Sequence, residues 1–593
     1  MSDEQPQNGY CLLKLQIGPV QDFIAQARST RDLWSGSYLI SWLIAAGVRR
    51  LQADGGKLVL PDPENQPLLD APQLWRKMPE QSALLTPNLP NLFVATIPSA
   101  GAGKFAGNVQ QAIEAEWGEI CEAVWNGQDF IAAAQKQRFD HQVKNFLSIS
   151  WQVTPLAGNS YADAYKQIGL QLDAVRQTRA FKAWSTGAVK TGAASNKDSL
   201  SGKEEALEGG PGFIHRLESN PKYAFLFKHD DWIGAITLVK RLWHLAYLKD
   251  ELGLKTGSDE FRIPSTLAIA SKTDQLDDAN LGKPTSDEKY LAVVALDGDR
   301  IGRWLDGEAL PKERELSSHH VSFSAALSTF ARDRVRPIVA KHKGFLIYAG
   351  GDDVLALLPA DQAVECAQAL RTAFRAATNQ IQIQNRDEPL DASAGIAMAH
   401  FTFSLQDLVR AAQIAEQRAK NKLNRRAVAI TLFKRSGETI EWGCKWEGGG
   451  LELFTAIADA LIREVLSAEF TFALVELLQA YLTVGTPLMA EPKKRDGEKA
   501  LEPVERFDVS EVIRREFAHV LGRQHGPKFP PKDEHEHFCQ PLREALDQYL
   551  KHLAERYPHS AEEQLQDVIG LFRTVAFAPA QNSPNKGEPK VTP

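Results

Sequence analysis

The sequence predicts an α+β protein of several domains, built on two ferredoxin-like units with mainly helical regions between and after them. Three observations lead there: the order β-α-β-β-α-β read between residues 11 and 153, the same order read again between 290 and 433, and helical periodicity over most of the remainder. At 593 residues the chain exceeds what one core serves, and about three to five domains fit it.

In the first unit, expected over residues 1–160, residues 11–17 alternate like a strand and Gly18-Pro19 opens a helical pattern that runs to about Arg50. Strands follow at 57–60 and 91–97, a helix at 109–124 and a last strand at 148–153. Residues 161–287 read as a mainly helical connecting domain, interrupted from Thr186 to Gly212 by a Gly/Ser/Lys-rich stretch that reads as a mobile loop. The second unit, expected over 288–440, has strands at 290–296, 345–349 and 354–358, a long helix at 321–342 and a second helix at 363–377. A strand at 392–399, a helix at 406–422 and a strand at 427–433 complete it. Residues 441–576 are helical, and 577–593, rich in Pro, Asn, Gly and Lys, read as a disordered tail.

Composition narrows the function classes. With 43% hydrophobic and 24% charged residues the chain is of the ordinary globular kind. A net charge of −7 gives no global basic footprint for free nucleic acid, so any RNA contact must come from local patches or partner chains. Cys11, Cys121, Cys366, Cys444 and Cys539 stand singly with no C-x-x-C, against a disulfide framework and against a local zinc knuckle. The polar, acidic N-terminus is not a signal peptide, and the apolar stretch at 38–48 is too short to span a bilayer. The expectation is a cytoplasmic protein without membrane contact.

The chemistry concentrates in the second unit. One strand ends Asp297-Gly298-Asp299, and the hairpin turn reads Gly350-Gly351-Asp352-Asp353. In this fold the first strand and the hairpin are neighbours, so the acidic groups meet at one end of the sheet. Two bare carboxylates about 4 Å apart repel by about 4 kcal/mol at an effective dielectric near 20, a heavy burden against a domain stability of about 5–15 kcal/mol. A divalent cation removes it. Oxygen ligands with open positions suit Mg2+ or Mn2+ bridging a nucleotide triphosphate. Because successive strand residues face opposite ways, Asp352 and Asp353 need not both bind metal; Asp297 and Asp352 are the expected direct ligands, with Asp299 and Asp353 as further candidates. Asp297, Asp352 and Asp353 are the expected catalytic set. Gly350 and Gly351 allow a tight turn and close approach to phosphate, and Gly298 joins them as a cofactor-binding candidate. Alone, Gly-Gly-Asp-Asp also suits a plain hairpin turn; the flanking strands and the Asp-Gly-Asp strand end favour the metal reading. On the following helix Lys420 is the favoured phosphate ligand, with the solvated helix face as the alternative.

Five stretches carry a resemblance: residues 17–28, residues 31–39 (Arg-Asp-Leu-Trp-Ser-Gly-Ser-Tyr-Leu), Leu296-Asp-Gly-Asp299, residues 348–357 around the Gly-Gly-Asp-Asp turn, and Ser393-Ala-Gly-Ile396 with the 415–420 run. Together they resemble the large subunit of type III-B CRISPR effectors, the Cmr complex, whose catalytic palm is similar to nucleotidyl and diguanylate cyclases. The resemblance implies two palm units packed face to face, the first degenerate, with ATP between them. It implies conversion of ATP to a cyclic oligoadenylate, switched on by target RNA, with guide RNA and other Cmr subunits as partners. Ser37 is then a candidate nucleotide contact from the first unit, or simply a helix packing point. Members of the family commonly begin with an HD nuclease domain, whereas the first palm here starts near residue 10, and the isolated His229-Asp230 is no substitute. No HD-type cleavage is expected. Asp198 and Ser201 stand where zinc-binding cysteines could be, so no zinc is expected, and His525, His535 and His537 read as a solvated loop. Two rival readings are a catalytically inert subunit that caps the guide-RNA complex, and a palm enzyme that uses GTP or joins AMP to another acceptor.

Overall fold

A computed structural model describes residues 9–577 except 71, 76–83, 158–159, 179–195, 219–222, 224–225, 228–230, 254–262, 273–288, 312–313, 383–389, 468, 485–507, 525–528 and 532–534. His229-Asp230, His525, the first part of the Gly/Ser/Lys-rich stretch and the tail beyond Phe577 lie outside the described residues.

The first sheet contains β1 (Tyr10–Gly18), β2 (Lys57–Leu60), β3 (Leu92–Pro98) and β4 (Ser148–Pro155), in the spatial order β2-β3-β1-β4. This is the ferredoxin-like order, and every pairing is antiparallel, with Leu13 opposite both Ala95 and Val153. Alternation sorts β1 between two cores: Leu13, Leu15 and Ile17 point to the main one, and Leu12 meets Tyr165 and Ile168 on the other face.

The helical pattern after Pro19 is not one helix. It divides into α1 (Gln21–Ala25) and α2 (Thr30–Ala53), because Ser29 forms a fresh N-cap. The Ser29 hydroxyl accepts from the Asp32 N–H at 3.1 Å, and the Asp32 carboxylate accepts from the Ser29 N–H at 3.3 Å. Between Thr30 and Val48, only Arg31 escapes full burial, so α2 is a core helix. Helix α3 (Ala102–Gly127) packs beside it and extends beyond the expected 109–124.

The connecting region supplies α4 (Tyr161–Gln177), a two-stranded sheet of β5 (Glu208–Gly209) and β6 (Trp232–Ile233), and α5 (Ala235–Trp243). Residues 196–210 are built into the fold, contrary to the mobile loop expected there. Buried Asp198 accepts hydrogen bonds from the N–H groups of Leu200 at 3.0 Å, Ser201 at 2.8 Å and Gly234 at 2.8 Å, and Leu200, Ala206 and Leu207 are buried beside it. Asp198 thus gives the turn the partners its backbone needs.

The second sheet comprises β7 (Tyr290–Gly298), β8 (Phe345–Gly350), β9 (Asp353–Pro359), β10 (Ala392–His400), β11 (Ala427–Phe433) and β12 (Thr439–Lys445), ordered β12-β11-β10-β7-β9-β8. Its β10-β7-β9-β8 part repeats the ferredoxin-like order. Helices α6 (Leu316–Thr329), α7 (Ala363–Gln382) and α8 (Leu405–Asn421) belong to it. The expected 321–342 helix contains a π-helical turn at Phe330–Val335. Pro337 follows it and has no N–H for the regular ladder. Strand β12 places the expected boundary at 440 inside a strand. Its alternating Ile440, Trp442 and Cys444 are buried, and the Trp442 indole N–H donates to the Tyr549 hydroxyl at 2.9 Å, so this sheet and the C-terminal helices share one core.

The opposite face of the second sheet, with Val293, Ala295, Leu355 and Leu357, joins the core of the first unit. Among the described residues, no helix is long and apolar enough to cross a membrane.

One buried ionic knot ties the connecting region to α2. Arg241 on α5 bonds Asp32 at 3.2 Å and Asp231 at 2.6 Å, and Arg28 also pairs with Asp231. Burial alone would raise the Asp32 carboxyl, but Arg241, Lys240 and the Arg28 N–H outweigh it and hold it below the usual carboxylate range. A lowered folded value means that charged Asp32 stabilises the fold above its unfolded value of about 3.9. That contribution is lost as pH falls through the lower folded value. Asp32→Asn is expected to lower stability by about 3–5 kcal/mol at pH 7 and to flatten the acid limb below about pH 4. Denaturant titrations across pH check both, and unchanged stability at pH 7 would contradict the assignment.

Candidate active site

A cleft of about 700 Å³ opens between the two units. Its first wall carries Gln16 to Gly18 at the end of β1, Val20 and Ile24 around α1, and Ser148 and Ser150 of β4. The facing wall carries Ala295 and Asp297 of β7, Tyr348 of β8, Asp353 and Leu355 of β9, and Glu416 and Lys420 of α8. Strand β1 ends there in Ile17-Gly18, where β7 ends in its aspartate.

Register decides which carboxylates meet. Strands β7 and β9 are antiparallel with Leu296 opposite Val354, so the next position along sets Asp297 opposite Asp353. Opposed residues share a face, and this face is the one that carries Ala295 and Leu355 into the cleft. Gly350 pairs with Asp353, which leaves Gly351-Asp352 as a two-residue hairpin loop. Asp352 therefore stands at the tip of the turn, with its Cβ beside Gly298.

The glycines serve the turn more than an open phosphate cradle. Gly351 has φ +84°, a left-handed conformation that favours glycine. A side chain at Gly350 would collide with the Tyr348 hydroxyl, and one at Gly298 would meet Ile301 at 2.6 Å and Asp352 at 3.0 Å. At Gly350 and Gly298, both nucleotide-binding candidates, the packing admits no side chain larger than hydrogen.

Asp299, a further ligand candidate, is engaged by its own chain. It is 3% exposed and accepts from the Ser393 hydroxyl at 2.8 Å and from the Arg426 N–H at 2.8 Å. Each oxygen takes one of these bonds. What Asp299 anchors is the turn after α8, where Asn424, Arg425 and Arg426 all have positive φ, at 53°, 60° and 48°.

Ser37 sits as the packing-point reading of it has it. It is buried, outside the cleft lining, and donates to the Ile347 carbonyl at 2.8 Å. Nearby, the Ala349 N–H donates to the Pro87 carbonyl at 2.9 Å. The first unit thus grips the outer edge of the Gly-Gly-Asp-Asp hairpin through its backbone.

Lys420 pairs with Asp297 and, at 2.8 Å, with Glu416. Burial pushes its ammonium down to about 8, and Arg425 adds to the effect. Burial pushes Glu416 up to about 7, with Asp299 adding, and Asp352 up to about 6. Asp353 opens onto the cleft, yet the surrounding walls strip enough water from it to raise it to about 7, with Asp352 and Glu416 contributing. The residues fit a divalent cation. Two carboxylates share one wall, a lysine ammonium already neutralises one of them, and neighbouring acids hold their protons for want of positive charge. Among the described residues no group of three or more His, Cys, Asp or Glu side chains forms a ready cage. Mg2+ sites commonly use one or two carboxylates, with waters and substrate phosphates completing the shell. Sequence reasoning missed Glu416, although its i, i+4 spacing to Lys420 on a helix was a usable signal.

Helix α8 holds these groups in place by lying directly on β10 at Gly395, where an added Cβ would collide with the Ala412 carbonyl and the Glu416 N–H. Gly395→Ala is expected to destabilise the protein by about 1–3 kcal/mol through overpacking. Gly302→Ala, with open space around it, is expected to be close to neutral. Denaturant unfolding of the pair compares them, and equal stability would contradict the close approach.

Known proteins share sequence and fold with this chain. The family model described as Cas10/Cmr2, second palm domain, matches residues 290–429, and that described as CRISPR-associated protein Cmr2, N-terminal, matches residues 12–122. The CRISPR system Cmr subunit Cmr2 of Pyrococcus furiosus is 26% identical, with 72% of this chain and 62% of that protein covered. The chain therefore spans less than two thirds of that relative's length. Among solved structures, the apo state of the type III-B Cmr-beta complex contains a chain with TM-score 0.58 at 13% identity, covering 80% of this chain and 75% of that one. The same complex bound to cognate target RNA gives TM-score 0.56 at 14% identity, covering 83% and 80%. At such identities the likeness to solved structures is one of fold. The two family matches in chain order, with the relative aligned over most of the chain, make this chain similar to the Cmr2 proteins of CRISPR systems.

Proposed function

We propose that the cleft is a metal-dependent nucleotidyltransferase site that joins ATP molecules into a cyclic oligoadenylate. The observation that carries this reading is the opposition of Asp297 and Asp353 on one wall, with Lys420 and Glu416 beside them. Asp297, with the hairpin carboxylates Asp353 and Asp352, would hold Mg2+ or Mn2+, which when bound lowers the cost of ionising the attacking hydroxyl and of the charge on the departing phosphates. The 3′ oxygen of one ATP bonds to the α-phosphorus of another, and the bond from that phosphorus to the pyrophosphate oxygen breaks. Glu416 offers a carboxylate on the same wall for the proton leaving the hydroxyl. Lys420, released from Asp297, is placed to meet phosphate oxygens. A cleft of about 700 Å³ lies in the size range of small-molecule sites.

The names of the relatives extend the proposal to partners. The Pyrococcus furiosus relative is a Cmr subunit, and one solved relative belongs to a complex bound to cognate target RNA. We therefore place this chain in an assembly with other Cmr subunits and guide RNA, with target RNA as the switch.

The test assembles the chain with its guide-RNA complex, adds target RNA, ATP and Mg2+ or Mn2+, and identifies products by mass spectrometry. Adenylate oligomers that fall at least about 100-fold with combined Asp352→Ala and Asp353→Ala support the proposal, since loss of charge-stabilising groups commonly costs that much. No consumption of ATP by a confirmed assembly would favour an inert capping subunit. Product only with GTP or a further acceptor present would favour a different transfer.

A further inference from the structure

Part of the first-unit wall of the cleft rests on a segment that cannot hold its own shape. Helix α1 is five residues long and has no side-chain N-cap, yet Val20, Gln21, Ile24 and Ala25 on and beside it line the cleft. Helices this short do not persist alone, and their last carbonyls need partners.

Those partners come from Lys240, more than 200 residues further along the chain on α5. Its ammonium donates to the carbonyls of Phe23, of Ile24 at 3.2 Å and of Gln26 at 2.8 Å, which matches its three donors with three acceptors. The side chain is 2% exposed, and Nζ lies 4.7 Å from the centre of the Phe23 ring. Its stem passes over Gly36 of α2, where a Cβ would come within 2.6 Å of Lys240 Cε. Helix α5 is itself fixed on α2: the Ser35 hydroxyl donates to the Lys240 carbonyl, the Trp243 indole N–H donates to Ser35 Oγ at 2.8 Å, and Arg241 binds Asp32.

We propose that Lys240 is a latch through which the connecting region sets the position of the α1 wall, and so the affinity of the cleft for nucleotide. Lys240 lines no part of the cleft, so it is a positioning residue that acts through α1. The affinity half of the proposal rests on the nucleotide reading of the cleft. The positioning half does not.

The test uses the full chain with Lys240→Met, which keeps the stem and removes the donors, and Gly36→Ala, which crowds the stem while suiting helix α2. Amide hydrogen exchange is followed in peptides covering 20–27 and 345–358, with equilibrium binding of Mn2+ alone and of ATP in the presence of Mn2+. Both variants are expected to exchange faster in 20–27 and not in 345–358. ATP affinity is expected to fall about 2- to 30-fold, the range of coupling changes seen for residues that touch neither ligand. Mn2+ affinity without nucleotide is expected to stay the same, because Asp297 and Asp353 stand on the other unit. If Lys240→Met does not fold, Gly36→Ala carries the same comparison. Unchanged exchange in 20–27, or faster exchange with unchanged ATP affinity, overturns the latch. Failure of the wild type to bind ATP would instead sink the nucleotide reading, while the exchange data would still decide whether Lys240 holds α1.

Discussion

An antiparallel strand pair puts opposed residues on the same face, and the register Leu296 opposite Val354 therefore commits Asp297 and Asp353 to one wall. Most of the site follows from that constraint. Two bare carboxylates at such a place repel by about 4 kcal/mol at 4 Å and an effective dielectric near 20. The structure answers with Lys420 against Asp297 and with carboxyls that titrate near neutrality at Asp353 and Glu416. A site arranged this way is short of positive charge. It suits a divalent cation that arrives with a polyphosphate.

Neighbouring packing keeps the register useful. Gly395 lets α8 rest on β10, which aims Glu416 and Lys420 at the aspartates. Asp299 uses both oxygens on Ser393 and the Arg426 N–H, and thereby fixes the left-handed turn at the end of α8. From the first unit, Ser37 and Pro87 bond the outer backbone of the hairpin, which occupies the edge of its sheet. The first unit thus contributes a wall and a clamp rather than carboxylates.

Much of the fold was legible in the sequence, because alternation along β1 and the nearly continuous apolar runs of β7 and β9 are strong local signals, and the Gly-Gly-Asp-Asp turn between strands announced a hairpin. Less legible was whatever depends on atoms distant in sequence. The alternative of Ser37 as a packing point agrees with its bond to Ile347, but no local pattern names that partner. For Asp299, only the folded chain reveals the Arg426 N–H that bonds it. The break before α2 and strand β12 were different: the Ser29/Asp32 capping box and the alternation of Ile440, Trp442 and Cys444 were present in the sequence, and each was overlooked beside a longer helical pattern.

The claim that Asp297 and Asp353 form the cation-binding wall, while Asp299 anchors the turn after α8, is tested most directly by Mn2+ affinity measured by electron paramagnetic resonance on the full chain without nucleotide. The account predicts that Asp297→Asn and Asp353→Asn each weaken binding by about tenfold or more, equivalent to about 1.4 kcal/mol. It also predicts that Asp299→Asn changes binding far less, and that Lys420→Met tightens it by removing the competing ammonium. Loss of Mn2+ binding in Asp299→Asn with full binding in Asp297→Asn and Asp353→Asn would contradict it.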